Sequence, residues 1–161
     1  MGKTKQGALI LAMALGAAVS VSGNTGIVSK VLAGDRVQFG ETFVARLTGI
    51  AVPALNEPLG HEVYDFTKRE LEGRTVKLFT WTTDDTAKGI VYDDEGQAFV
   101  QIFYGKGAAV SFNEVLLKKG YARVDPKYLP DELKHYLDLE KEARDKGLGI
   151  WKNRSARPSR P

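Results

Sequence analysis

Before any helical period begins, the chain is cut into short β-branched runs by glycine-centred turns, and that rhythm is what most restricts its fold. Ile27–Leu32 alternates apolar and polar residues and breaks at Ala33-Gly34-Asp35. Arg36–Phe39 follows, Gly40-Glu41 reads as a tight turn, and a third run extends over Thr42–Val52. Within that third run Phe43, Ala45 and Leu47 share one face, which leaves Arg46 on the other, open to solvent or a cavity. Pro53, Asn56, Pro58 and Gly60 then mark a loop.

The first helical period comes at His61–Leu71, where Val63, Phe66 and Leu71 line one side and Gly73 ends the element. His61 falls in its first turn, where no chemistry is expected of it. Strands resume at Thr75–Thr82, Gly89–Tyr92 and Gln97–Tyr104, the last two joined by the acidic turn Asp93-Asp94-Glu95-Gly96. Ser111 followed three residues later by Glu114 forms a capping box for a helix over Phe112–Lys119, which Gly120 closes. Asp131 caps a last helix whose apolar side runs through Leu133, Tyr136, Leu137 and Glu140, then Ala143 and Leu148. Short antiparallel strands in meander order, with helices added later, predict an α+β fold: an OB-like five-stranded barrel flanked by three helices. Trp81, Trp151, Phe99, Phe103 and Tyr104 read as core, rim or strand-packing aromatics rather than base-stacking platforms.

Composition matters chiefly for what it removes. The 161 residues contain no cysteine, so disulfides, thiol nucleophiles, cysteine-ligated zinc and iron–sulfur chemistry are excluded. His61 and His135 are too few and too far apart for a histidine metal site. The net charge of +3 comes from the ends. Lys3 and Lys5 stand at the start, and Lys152, Arg154, Arg157 and Arg160 at the finish. Between 24 and 151, 17 basic residues face 20 acidic ones. A folded part without a basic footprint makes nucleic acid the less favoured partner, although Arg154, Arg157 and Arg160 could hold phosphate non-specifically.

The ends frame a single domain over 26–151. Residues 1–23 run from a basic start into the apolar stretch Ala8–Val19 and then into small polar residues. That order reads equally as an export signal cut after Ser22 or as a retained anchor, with 7–22 the segment that would meet a membrane. The stretch is short against the about 20 residues of a bilayer span. The expected location is secreted or membrane-anchored. An organellar membrane such as the mitochondrial one is the alternative, although no arginine precedes Arg36. The tail, 152–161, mixes Pro, Ser and Arg without apolar period and is expected to be disordered.

Ordered over nearly all of 26–151, a set of local motifs resembles the staphylococcal nuclease (thermonuclease) family. Ala33-Gly34-Asp35-Arg36-Val37 is similar to its Asp-Gly-Asp-Thr-Val turn. Phe43-Val44-Ala45-Arg46-Leu47, then Gly49-Ile50 and Pro53, is similar to its arginine strand and loop. Leu59-Gly60-His61-Glu62 resembles the start of its first helix. Phe112-Asn113-Glu114-Val115-Leu116 with Gly120-Tyr121-Ala122-Arg123-Val124 resembles a later helix and its tail, and Gly147-Leu148-Gly149-Ile150-Trp151 its closing signature. The resemblance implies phosphodiester hydrolysis with one calcium. Carboxylates hold the hard cation, another carboxylate helps water attack, and arginine forks meet the transition-state charge.

Carried over position by position, the resemblance leaves a remnant. Asp35 keeps the calcium aspartate and Arg46 the first phosphate arginine. Ala51 stands for the second aspartate, Ala54 for the glutamate that assists water, and Gln97 for the second arginine. Asp35 would be the one metal ligand left if calcium bound at all, and losing a single charge-stabilising donor costs on the order of a hundredfold in rate. Glu57 shares the loop with Ala54, and Asp93, Asp94 and Glu95 form a turn able to attract a cation. Arg36 takes the family's threonine position and would pair with or screen Asp35, and an Arg46–Asp35 ion pair is expected. The expected function is a catalytically degenerate domain, with no catalytic residues and no cofactor, serving as a membrane-attached or exported protein-binding or accessory subunit. The alternative is a weak calcium-dependent phosphodiesterase acting on DNA or RNA, using Asp35, Arg46 and Glu57.

Overall fold

The structure is a computed structural model and describes residues 25–80, 92–105, 107, 109–127 and 133–152. In chain order the elements are β1 (Thr25–Ala33), β2 (Arg36–Phe39), β3 (Phe43–Leu47), β4 (Ile50–Ala51), α1 (Gly60–Leu71), β5 (Thr75–Thr80), β6 (Ala98–Phe103), α2 (Phe112–Lys118), β7 (Arg123–Val124), α3 (Leu133–Asp145) and a 3-10 turn at Gly149–Trp151. Five strands close a barrel in the order β1-β2-β3-β6-β5, and β4 with β7 forms a separate two-stranded sheet. This is the α+β barrel with three helices expected from the sequence.

Three expectations need correction. The strands are not all antiparallel in meander order, because β3 pairs with β6 in parallel, Ala45 opposite Ala98. Closing the barrel forces that pairing: β6 must insert between β3 and β5 although three elements, β4, α1 and β5, separate it from β3 in the chain. The single run Thr42–Val52 is two strands, since Gly49 takes a φ of 72° and turns the chain out of the barrel toward β7. In α3 the buried stripe is Tyr136, Leu139 and Ala143, which places Leu137 outside at 44% exposure. Of the region read as Gly89–Tyr92, Tyr92 makes one isolated bridge to Ala98. The rest of that run, Trp81, and the cap Asp131 lie outside the described residues.

The core fills the barrel and the helix faces against it. Val28, Val37, Phe39, Ala45, Val100 and Ile102 point inward and are 0% exposed. Each large buried apolar side chain contributes about 1.5–3 kcal/mol. Helix α1 presents Val63, Phe66 and Leu71 to the core, and α2 presents Phe112, Leu116 and Leu117. The predicted capping box of α2 is present: Ser111 Oγ accepts from the Glu114 amide at 3.2 Å, and the Ser111 amide donates to Glu114 Oε2 at 2.9 Å. Asn113, fully buried, ties α2 to the barrel. Its Nδ2 donates to Thr48 O and Val100 O, and its Oδ1 accepts from the Ile102 amide. Among the described residues no helix is long and apolar enough to cross a membrane, and the apolar stretch Ala8–Val19 lies outside them.

Candidate functional site

Asp35 sits on the tight turn between β1 and β2, where Ala33 pairs with Arg36. The turn is pinned from behind: Thr67 Oγ1 on α1 donates to Gly34 O at 2.8 Å. Gly34 is required by this approach, because a Cβ there would meet Val63 Cγ1 at 2.7 Å. On the neighbouring strands Arg36 and Arg46 are cross-strand partners, which sets two like charges directly opposite one another. Such a pair is destabilising unless anions lie between.

Three carboxylates supply them. Arg46 Nε donates to Asp35 Oδ2 at 3.3 Å, and Arg36 Nε lies 4.0 Å from Asp35 Oδ1. Asp93 Oδ2 is 3.9 Å from Arg46 Nη1, and Glu95 Oε2 is 3.5 Å from Arg36 Nη1. The Asp93 side chain is organised by its own turn, its Oδ1 accepting from the amides of Glu95 and Gln97 at 3.0 and 2.8 Å. Gln97 Nε2 in turn donates to the Glu95 carboxylate. The acidic turn, read from sequence as a place for a cation, therefore directs two of its carboxylates at the arginines. Burial raises the Asp35 carboxyl above its ordinary value, and the charges of Arg46 and then Arg36 pull the other way without cancelling it.

The loop after β4 does not contribute acids to this cluster. Ala51 pairs with Arg123 across β4 and β7, and Ala54 is exposed. Glu57 turns back on its own loop, its Oε2 accepting from the Ala54 amide at 2.7 Å. It is thereby engaged away from Asp35's arginines. Gly60 closes the loop so tightly that a Cβ would stand 1.9 Å from Ala54 O. His61 is exposed on the first turn of α1, as expected, and Arg154, Arg157 and Arg160 lie outside the described residues.

Calcium takes 6–8 oxygen ligands. Here one carboxylate, Asp35, has both oxygens facing guanidinium groups, while Ala51 and Ala54 carry no side-chain oxygen. Among the described residues no three of His, Asp and Glu converge as a metal site. The residues present do not fit the ion.

Sequence reasoning placed Asp35 with Arg46 and Arg36. It missed that Asp93 and Glu95 complete the network. The signal was the pair of like charges on adjacent strands, Arg36 and Arg46, which demands more than one anion.

Residues 44–153 match the family of staphylococcal nuclease homologues. The chain is 30% identical over 154 residues to an uncharacterized protein of Methanocaldococcus jannaschii, the match covering 78% of this chain and 70% of that protein. It is 32% identical over 119 residues to a staphylococcal-like nuclease of Arabidopsis thaliana, covering 74% of this chain but 32% of the plant protein. With the closed barrel, the three helices and the family match over more than half its length, this chain belongs to the staphylococcal nuclease homologue family.

Proposed function

We propose that this chain is a non-catalytic member of its family, a binding or accessory module rather than a hydrolase. The observation that carries this reading is the state of Asp35. One oxygen accepts a hydrogen bond from Arg46 at 3.3 Å and the other lies 4.0 Å from Arg36, while the loop opposite offers Ala51 and Ala54. A cation entering there would face two guanidinium groups with one carboxylate to hold it. A phosphate approaching Arg46 would meet Asp35 and Asp93 already in place. The basic start and apolar stretch Ala8–Val19 support placement at or beyond a membrane, as a signal or an anchor.

The test is incubation of the purified chain with single-stranded DNA and RNA, with calcium or with a chelator. No calcium-dependent cleavage is expected. Calcium-dependent cleavage abolished by Asp35→Ala refutes the reading and installs the second one, a weak phosphodiesterase, which the description of the plant relative as a nuclease favours. Membrane attachment is checked separately, by carbonate extraction of membranes and N-terminal sequencing of the mature chain.

A further inference from the structure

Behind the loop that carries Ala51 and Ala54 lies a groove of about 670 Å3, walled by that loop, by β7 and by the final 3-10 turn. Its size falls in the range of ligand-binding clefts, about 300–1,000 Å3. Val52, Pro53, Leu59 and Ile150 give it an apolar stretch beside its polar residues. Ala51, which carries no charge, is part of the lining.

Two cations stand on the groove, Arg123 and Lys152. Arg123 faces Ala51 across the β4–β7 pair, so its cross-strand neighbour is not a carboxylate. It is held instead over the ring of Trp151, 5.5 Å from the centroid. Among the described residues neither Arg123 nor Lys152 has an ion-pair partner, whereas Arg144, on the same indole, is paired with Glu140. Among the described residues the one acid on the groove, Glu57, is committed to the Ala54 amide.

The groove is also preformed. The Ile150 amide donates to Gly120 O at 2.9 Å, and Gly120 and Gly149 touch so closely that a Cβ on either would overlap the other segment's backbone. On the opposite wall Leu59 is the one described non-glycine residue with positive φ, at 68°. A non-glycine residue held there costs about 1–3 kcal/mol and persists where surrounding packing over-determines it. Strain of that kind concentrates at ligand-contacting positions.

We propose that this groove docks an extended peptide segment of a partner protein, one that sets a carboxylate between Arg123 and Lys152 and lays apolar side chains against Val52, Pro53 and Ile150. Unpaired cations beside an apolar wall are complementary to an acidic and apolar chain. Nucleic acid suits the surface less well. Among the described residues the lining contains no aromatic ring on which a base could stack, and two cations in company with the Glu57 carboxylate do not track a phosphate backbone. The inference rests on the reading of the chain as a binding module and names the surface and the partner's chemistry.

The experiment selects phage-displayed random octapeptides on the immobilised full chain, then measures single synthetic peptides by fluorescence anisotropy. Enriched sequences should place Asp or Glu beside Leu, Ile, Val or Phe. Arg123→Glu and Lys152→Glu should each weaken binding about tenfold. Lys141→Glu, exposed on α3 and outside the groove's lining, should leave it unchanged. Both groove positions are exposed, and unchanged thermal unfolding shows that each variant is folded. Absence of enrichment, enrichment without acids, or acidic peptides bound equally by Arg123→Glu overturns the proposal, as does displacement of the peptide by a single-stranded oligonucleotide. If the proposal fails while the cleavage assay stays negative, only the occupant of the groove is wrong. Calcium-dependent cleavage removes the underlying reading itself.

Discussion

Asn113→Ala should remove about 3–5 kcal/mol of stability without touching the hydrophobic packing of the barrel. The side chain is 0% exposed and makes three hydrogen bonds: Nδ2 to Thr48 O at 2.9 Å and Val100 O at 3.2 Å, and Oδ1 from the Ile102 amide at 3.3 Å. Val100 O keeps the Thr48 amide at 2.9 Å, so its loss is partial. The Ile102 amide is left buried without an acceptor. A buried group deprived of its partner costs about 1–3 kcal/mol, and one orphaned donor with two weakened carbonyls gives the stated sum. Against a domain stability of about 5–15 kcal/mol this is a large fraction. Asn113→Asp supplies an internal control. It keeps the acceptor for Ile102 but turns the donor into an oxygen facing two carbonyls. Burial and those carbonyls would raise its pKa above the unfolded value. The native state then takes up the proton first, so stability should rise as pH falls through the raised value. Urea unfolding followed by circular dichroism at pH 7 and pH 4 measures both. An alanine variant within about 1 kcal/mol of wild type, or an aspartate variant whose deficit does not shrink at pH 4, refutes the reasoning.

Two further titratable positions give signed expectations. Because burial outweighs the arginines and raises Asp35, the native state binds its proton before the unfolded chain does; stability gained from this group increases as pH falls from the raised value to the ordinary 3.8. Asp35→Asn removes a carboxylate that burial disfavours and leaves Asp93 and Glu95 against Arg46 and Arg36, so it should be as stable as wild type at pH 7 and lack that acid-side gain in urea titrations; a loss above about 2 kcal/mol at pH 7 would contradict it. Tyr121 donates to Glu62 Oε1 at 2.6 Å, and that bond, before burial, pushes its hydroxyl up to about 12. Its contribution is complete below pH 10 and is lost as pH rises from 10 to 12, so the wild-type advantage over Tyr121→Phe should vanish across that window. An advantage that persists at pH 12 by chemical denaturation would show that the bond is not made.

What the sequence revealed of the fold was its local part. Gly40, Gly73 and Gly120 all take positive φ where turns were expected, and Ser111 with Glu114 forms the cap that their spacing announced. The unread parts are those decided at long range. Nothing local to Phe43–Leu47 states that its free side will be taken by β6 in parallel. In the unbroken strand-like run Thr42–Val52, only Gly49 hinted at the break. The site divides the same way. Asp35, Arg36 and Arg46 lie within twelve residues and share a hairpin, so opposite charges on adjacent strands could be paired on paper. Asp93 and Glu95 reach them only because β6 closes the barrel beside β3. Asn113 reads as a helix residue of no special weight, since its three partners come from other elements. Arg123 gave no sign of its groove, whose other wall is supplied by residues 149–152.

The closure of the barrel bears on how copies of this chain behave when crowded. β1 hydrogen-bonds to β2 on one side and to β5 on the other, so among the described residues each of the five strands has a neighbour on both sides. Ile27 and Phe79 nevertheless stand on its outside at 60% and 51% exposure. On an open sheet, such residues beside a free edge would invite strand-by-strand growth from one molecule to the next. On a closed one they can meet only through side chains, in contacts that form and dissociate without templating further addition. The barrel thus tolerates sticky patches that a sandwich or an open sheet of the same sequence composition could not carry safely.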